Sequence, residues 1–376
     1  MRFPQPSQPA DPAGPLLLHV VGARPNFMKL APVLLAGQAV PGLRQHVVHT
    51  GQHYDREMSD RFFEELGIPR PDQNLDVGSA THAQQTAAIM ARIEPVLLKV
   101  RPDWVVVYGD VNSTMAAALV AVKLGIRVAH VEAGLRSRDR TMPEEINRLV
   151  TDQLADLLLT PSRDADANLR AEGIPEERIA FVGNVMVDTL LRLREQARAL
   201  AVPERLGLNG SRYVFVTLHR PSNVDDPATL RELLTALESI AGRMPVVFAV
   251  HPRTRHRISE FGLEGVAASV RLLNPLGYLE TVGLMERSAL VLTDSGGLQE
   301  ETTVLGVPCL TARPNTERPV TVTEGTNRLV ASTTAAVLSA VNELLADQER
   351  GVFQARQPEY WDGRAGERVM EALLRW

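Results

Sequence analysis

Short β-branched runs, each followed by a longer helical pattern, recur along nearly all of the 376 residues. In the first half they are "LLLHVVGA", "RQHVVHTG", "DWVVVYGD", "RVAHVEAG", "DLLLTPS" and "RIAFVGN". In the second half they are "YVFVTLHR", "PVVFAVHP", "VRLLNP", "LVLTDSGG", "VPCLTA" and "NRLV". Continuous apolar strands separated by helices predict parallel sheets covered on both faces. Six such strands per half predict an α/β chain of two Rossmann-like doubly wound domains facing a central cleft. The charged helical stretch "LLRLREQARALAVPERLGLNG" is the predicted junction.

Composition narrows the function. A hydrophobic share of 44% supplies two cores, and a net charge of -5 argues against non-specific nucleic-acid binding. The single cysteine, Cys309, excludes an internal disulfide framework and a multi-thiolate metal site. No stretch approaches the roughly 18 to 20 continuous apolar residues that span a bilayer. The opening "MRFPQPSQPADPAGP" is proline-rich and lacks the apolar centre of a signal peptide, so residues 1–15 read as a disordered tail. The expectation is a soluble, cytoplasmic protein with no membrane and no nucleic-acid partner.

In parallel α/β sheets, ligands sit beyond the carboxyl ends of the strands. The polar residues found there are Arg24, Asp110, Glu132, His219 and Ser295. Each taken singly also suits an ordinary turn or helix cap; the five together point to a site. "LTDSGGLQEE" is the sharpest signal. Gly296 and Gly297 let the backbone approach a ligand, the free N–H groups of a helix start attract phosphate, and Ser295 adds a hydroxyl. Glu301, deeper in that helix, suits a ribose diol. "GARPNFMKLAP" places Arg24 and Lys29 beside a helix start, as a diphosphate requires. "NTERPVT" adds Arg318. Neither G-x-x-x-x-G-K-[ST] nor G-x-G-x-x-G is present, so neither an ATPase nor a standard dehydrogenase is supported.

"VAHVEAGLRSRDRTMPEEINR", residues 128–148, gathers carboxylates among arginines. Glu144 heads a predicted helix, with Arg148 one turn on and on the same face. Spacing turns Glu145 away. A capping box from Thr141 to Glu144 is the structural alternative for Glu144. His219 suits a proton shuttle or a phosphate ligand, and His251 in "VHPRT" is a weaker candidate of the same kind.

With these residues in view, the chain strongly resembles the non-hydrolysing UDP-N-acetylglucosamine 2-epimerases. The shared blocks stand here as "GARPNFMKLAP", "TGQHYDREMS", "YGDVNST", "HVEAGLRS", "MPEEINR", "TLHRPSN", "TDSGGLQEE" and "NTERP", in unbroken order over residues 16–376. The resemblance implies the GT-B fold. It divides the chain into an N-terminal domain (16–190), a nucleotide-binding domain (191–354), and a final helix (about 355–376) returning to the first domain. It implies a UDP-N-acetylhexosamine substrate, no cofactor, a homodimer, and a role in polysaccharide biosynthesis. Its UDP contacts fall on Arg24, Lys29, Ser295, Gly296, Gly297, Glu301 and Arg318. Its catalytic set falls on Asp110, Glu132, Glu144 and His219, with Arg148 in support. The base-proximal positions carry Leu276 and Thr281. Gln52 and His53 match a pair used by members that bind a second substrate molecule, but "GSATHAQQT" lacks the accompanying arginine.

The chemistry implied explains the carboxylates. The C2 proton of the sugar is barely acidic, and inversion proceeds by loss of UDP as that proton is removed, giving 2-acetamidoglucal, then re-addition after protonation of the other face. Cations must hold the leaving diphosphate, and no single acid–base group reaches both faces. A 2-epimerase of a UDP-2,3-diacetamido uronic acid is the nearest alternative, kept open by the arginines of "LRSRDR". A hydrolysing epimerase, a GT-B glycosyltransferase requiring an acceptor, and a non-catalytic sugar-nucleotide sensor are further from the pattern.

Overall fold

The computed structural model describes residues 14–51 and 63–376. Residues 1–13 of the expected tail (1–15), and Gln52 and His53, lie outside the described residues. The chain divides into two compact units, Met1–Thr189 with Asp362–Trp376, and Leu190–Trp361. The division falls inside the helix Val185–Ala199.

The first unit holds seven parallel strands: β1 (Leu16–Val21), β2 (Arg44–His49), β3 (Gln73–Asn74), β4 (Trp104–Tyr108), β5 (Arg127–Val131), β6 (Leu157–Thr160) and β7 (Ile179–Phe181). Their order is β3-β2-β1-β4-β5-β6-β7. Six of them are the apolar runs of the first half. The seventh, β3, is two polar residues at the sheet edge, and no run of apolar side chains announces it.

The second unit holds β8 (Val214–Thr217), β9 (Val246–Ala249), β10 (Arg271–Leu273), β11 (Leu290–Thr293), β12 (Cys309–Ala312) and β13 (Asn327–Val330). These are also all parallel, in the order β10-β9-β8-β11-β12-β13. Every one was read in the sequence. Central strands such as Val105–Tyr108 and Leu290–Leu292 are wholly buried, which is why they are apolar without alternation.

Both orders are those of doubly wound sheets, in which the chain reverses direction across the sheet at one point. In the first unit that point lies between β1 and β4; in the second it lies between β8 and β11. Connections leave the carboxyl ends of these strand pairs in opposite directions, opening a crevice, so side chains there meet a ligand rather than a neighbouring loop. The final helix, Ala365–Arg375, packs on Arg24–Gln38 of the first unit. Gly366 is required there, because a Cβ would stand 2.6 Å from the Pro32 carbonyl oxygen. Asp188 caps that helix by accepting hydrogen bonds from the Ala365 and Gly366 amides at 3.1 and 2.7 Å.

Candidate active site

At the switch point of the first unit, β1 runs into Gly22 and the helix Arg24–Gln38. Gly22 has no room for a side chain: a Cβ would lie 2.0 Å from Ser113 Oγ. Asn26 Oδ1 accepts from the Gly22 and Ala23 amides, and its Nδ2 donates to the Tyr108 carbonyl at 2.8 Å. One buried amide thus joins the end of β1 to the end of β4. Arg24 is the first residue of the helix. Lys29, one turn further, reaches Glu132: Nζ and Oε2 are 2.7 Å apart, with both side chains under 10% exposed (7% and 3%). Gly109 makes space for this pair. Its φ is +61°, and a Cβ there would fall 2.6 Å from Lys29 Nζ.

Glu132 follows β5 directly and has φ +71°, a left-handed conformation that side chains other than glycine, asparagine and aspartate seldom adopt. Its amide and that of Ala133 both donate to the Leu159 carbonyl, which holds the turn in place. Strained backbone of this kind costs about 1–3 kcal/mol and clusters at functional positions.

Asp110, beyond the end of β4, pairs with Arg148 Nη2. Arg148 is nearly buried in the helix Pro143–Leu154, and its Nη1 lies 2.8 Å from Glu145 Oε2. Here the structure corrects the expectation. Glu145 does not point away: it is 2% exposed and also accepts hydrogen bonds from the Ser137 and Arg138 amides, both at 2.9 Å. Burial pushes its pKa up, but these amides and Arg148 outweigh that and hold it below the usual carboxylate value. Glu144 is half-buried. The Thr141–Glu144 capping box does not form. Met142 is the N-cap, and the Thr141 hydroxyl donates to Asp139 instead.

At the switch point of the second unit, β8 and β11 are tied by their last residues, with Thr217 and Thr293 hydroxyls 2.7 Å apart. His219 and Asp294 follow. Asp294 is fully buried and lies 2.9 Å from His219 Nδ1. It also accepts from the His219 and Arg220 amides and from Asn223 Nδ2. Burial raises its pKa, but His219 and these donors bring it below the ordinary value, so the carboxylate is the stable form. This contact engages Nδ1, one of the two ring nitrogens of His219. The His251 ring stands 5.9 Å away, centroid to centroid. Asp294 was not singled out from sequence, although a carboxylate ending a buried strand is the same signal that identified Asp110.

Ser295 is the N-cap of the helix Gly296–Leu305, yet its side chain makes no capping hydrogen bond. A Cβ on Gly297 would meet nothing within 4 Å, so the first turn is open on that side. A Cβ on Gly296 would lie 2.7 Å from Arg318 Nη1, which puts that guanidinium against the same turn. Arg318 is held by Glu300 at 2.8 Å and Glu317 at 2.7 Å, and Arg313 pairs with Glu317 at 2.9 Å. Glu317 is pushed up by burial, but Arg318 and Arg313 bring it far below the carboxylate range. Glu301 is different. Burial lifts its pKa to about 8, with Tyr278 lowering it by a hydrogen bond and Glu300 raising it further. Leu276 and Tyr278 pack on the nearby core, and the Thr281 hydroxyl bonds back to Gly277.

The twelve residues expected to act therefore fall into two sets. Arg24, Lys29, Asp110, Glu132, Glu144 and Arg148 belong to the first unit, and His219, Ser295, Gly296, Gly297, Glu301 and Arg318 to the second. Within the first, Lys29 meets Glu132 and Arg148 meets Asp110; within the second, Arg318 meets the turn at Gly296. No described helix is long and apolar enough to cross a membrane. Among the described residues no group of three or more His, Cys, Asp or Glu is placed to hold a metal ion.

Two Rossmann-like doubly wound units, with polar side chains concentrated at both switch points, define a GT-B-like protein. The family model described as UDP-N-acetylglucosamine 2-epimerase matches residues 36–374. The chain is 42% identical over 362 residues to the UDP-N-acetylglucosamine 2-epimerase of Methanocaldococcus jannaschii, covering 94% of this chain and 97% of that one. It is also 42% identical over 363 residues to the UDP-2,3-diacetamido-2,3-dideoxy-D-glucuronate 2-epimerase of Pseudomonas aeruginosa, covering 96% and 99%. The crystal structure of the Methanocaldococcus jannaschii UDP-GlcNAc 2-epimerase in complex with UDP-GlcNAc and UDP matches with a TM-score of 0.85, at 41% identity, over 96% of this chain and all of that one. The chain belongs to the UDP-N-acetylglucosamine 2-epimerase family.

Proposed function

We propose that this protein interconverts UDP-N-acetylglucosamine and UDP-N-acetylmannosamine by eliminating UDP and re-adding it to 2-acetamidoglucal. The observation that carries this reading is the pair of carboxylates ending β4 and β5, Asp110 and Glu132, each set against its own cation, Arg148 and Lys29. Removing a weakly acidic C2 proton and replacing it on the other face takes two acid–base groups, and neighbouring strand ends supply them. Glu144 and His219 complete the acid–base set, with Asp294 fixing the His219 ring.

The second unit is read as the UDP-binding half. The open first turn at Gly297 and the uncommitted hydroxyl of Ser295 suit phosphate oxygens. Glu301 suits the ribose diol, and Arg24, Lys29 and Arg318 suit the diphosphate. A cytoplasmic homodimer that draws on the sugar-nucleotide pool and needs no added cofactor completes the reading.

The alternative substrate is a UDP-2,3-diacetamido uronic acid, favoured by the likeness to the Pseudomonas aeruginosa enzyme named for it. Of the three arginines in "LRSRDR", Arg136 is already engaged by Asp152 and Glu172, whereas Arg138 and Arg140 are exposed. Incubation of the protein with each sugar nucleotide separately, without NAD and without an acceptor, followed by proton NMR, decides between them. UDP-N-acetylmannosamine from UDP-N-acetylglucosamine is the expected product. Free N-acetylmannosamine would mean hydrolysis, and no product without an acceptor would mean glycosyl transfer.

A further inference from the structure

Beneath the two strand ends lies a cluster of ionisable side chains that the reading above does not use. His130, on β5, and Asp152, in the last turn of the helix Pro143–Leu154, are both fully buried. His130 Nδ1 is 2.6 Å from Asp152 Oδ1, and its Nε2 is 2.7 Å from the Gly109 carbonyl oxygen. The other oxygen of Asp152 accepts from the Gly134 amide at 3.1 Å and pairs with Arg136 Nη1 at 2.7 Å. Arg136 in turn donates to both oxygens of Glu172, at 2.8 and 2.6 Å.

Placing such groups in a dry interior costs several kcal/mol per ion, offset only where every polar atom finds a partner. The partners here are specific. Gly109 immediately precedes Asp110, and Gly134 follows Glu132 by two residues. Through one carboxylate and one imidazole, the backbone of one proton-transfer turn is therefore tied to the backbone of the other. A further bond, from the Gly109 amide to the Val131 carbonyl at 3.0 Å, closes the same frame. Burial raises the Asp152 pKa, but His130 and Arg136 outweigh it and keep the carboxylate ionised.

We propose that Asp152 and His130 are positioning residues for proton transfer, setting the separation and orientation of the Asp110 and Glu132 turns. The inference rests on the reading that Asp110 and Glu132 handle the C2 proton. It assigns neither Asp152 nor His130 any contact with substrate. A misplacement of about 1 Å in a reacting group costs on the order of a hundredfold in rate, so loosening this frame lowers turnover, while the nucleotide contacts read on the second unit, which share no bond with the frame, stay in place.

The test compares Asp152→Asn and His130→Gln with Asp110→Asn, Glu132→Gln and the control Asp188→Asn, which loosens the final helix of the same unit instead. For each variant, kcat, KM and the unfolding midpoint are measured. The expected result is a fall in kcat of about tenfold or more for Asp152→Asn and His130→Gln with KM within about threefold. Asp188→Asn lowers the midpoint yet keeps kcat within about twofold, because its carboxylate bonds the Ala365 and Gly366 amides and no member of the His130–Asp152 frame. Native kcat in Asp152→Asn and His130→Gln, or kcat and KM changing together as stability falls, overturns the inference while leaving the functional reading intact. Native turnover in Asp110→Asn and Glu132→Gln would instead remove the reading and the inference with it. If Asp152→Asn fails to fold, His130→Gln decides alone.

Discussion

The ammonium of Lys29 lies 2.7 Å from a carboxylate oxygen of Glu132, inside the first unit and almost out of reach of water. Two residues proposed for separate roles, a cation for diphosphate and a carboxylate for proton transfer, meet in one contact. Each charge offsets the cost of burying the other, so removing either alone leaves a buried ion without this partner.

A double-mutant cycle measures that coupling. Lys29→Met and Glu132→Gln should each destabilise the protein, and the double variant should lose less than the sum of the two. A difference of about 1–3 kcal/mol in urea unfolding is expected for groups in direct contact. Strict additivity would mean that the two side chains are not coupled.

Glu145→Gln should lower stability by about 1–3 kcal/mol, because Arg148 and two loop amides lose a charged acceptor. It should lower kcat too, since Arg148 is the group beside Asp110. Glu144→Gln should change stability by less than about 0.5 kcal/mol while lowering turnover. The pH dependence has a definite sign. The folded pKa of Glu145 is depressed, so its stabilising effect is present above the ordinary carboxylate value of 4.5 and disappears as pH falls through the lower, folded value. Native and Glu145→Gln unfolding curves should therefore converge in acid. Equal stability at neutral pH would show that the Ser137–Arg138 loop does not depend on this carboxylate.

Glu301 has the opposite sign. Its folded pKa is raised from 4.5 to about 8 by burial, so the stability it contributes is complete below 4.5 and is lost as pH rises toward 8. Over that window the unliganded protein should lose about 1.4 kcal/mol per pH unit from this group alone. Glutamine cannot ionise, so Glu301→Gln should gain on the native protein from pH 5 upward and level off above the folded pKa. Urea unfolding at pH 5, 7 and 9 checks this. A constant gap between the two proteins across the range would contradict it.

Much of this was legible in the sequence because buried parallel strands are written as uninterrupted apolar runs, and the residues that end them stand at the ligand edge by topology. Asp110, Glu132 and His219 are candidates on that ground, and each follows a strand at or next to a switch point. β3 was not, since Gln73 and Asn74 carry no hydrophobic signal. Glu145 was misjudged because Glu144 and Glu145 stand four and three residues before Arg148, and both spacings bring side chains together on a helix. Only the Ser137–Arg138 loop, folding back over the helix start, selects Glu145. The pairing of Lys29 with Glu132, and of His130 with Asp152, joins positions far apart in the chain. Periodicity and spacing describe neighbours along one element and are silent about such contacts.

Epimerisation by elimination requires the bond between C1 and the bridging oxygen to break. UDP-N-acetylglucosamine carrying oxygen-18 in that bridge tests it directly, with the position of the label followed by phosphorus NMR as UDP-N-acetylmannosamine forms. Elimination frees the β-phosphate to rotate before it re-adds, so label scrambled into the non-bridging β-oxygens is expected. Deuterium from heavy water should appear at C2 of the product alongside it. Epimerised product with all of the oxygen-18 still in the bridge would rule out elimination.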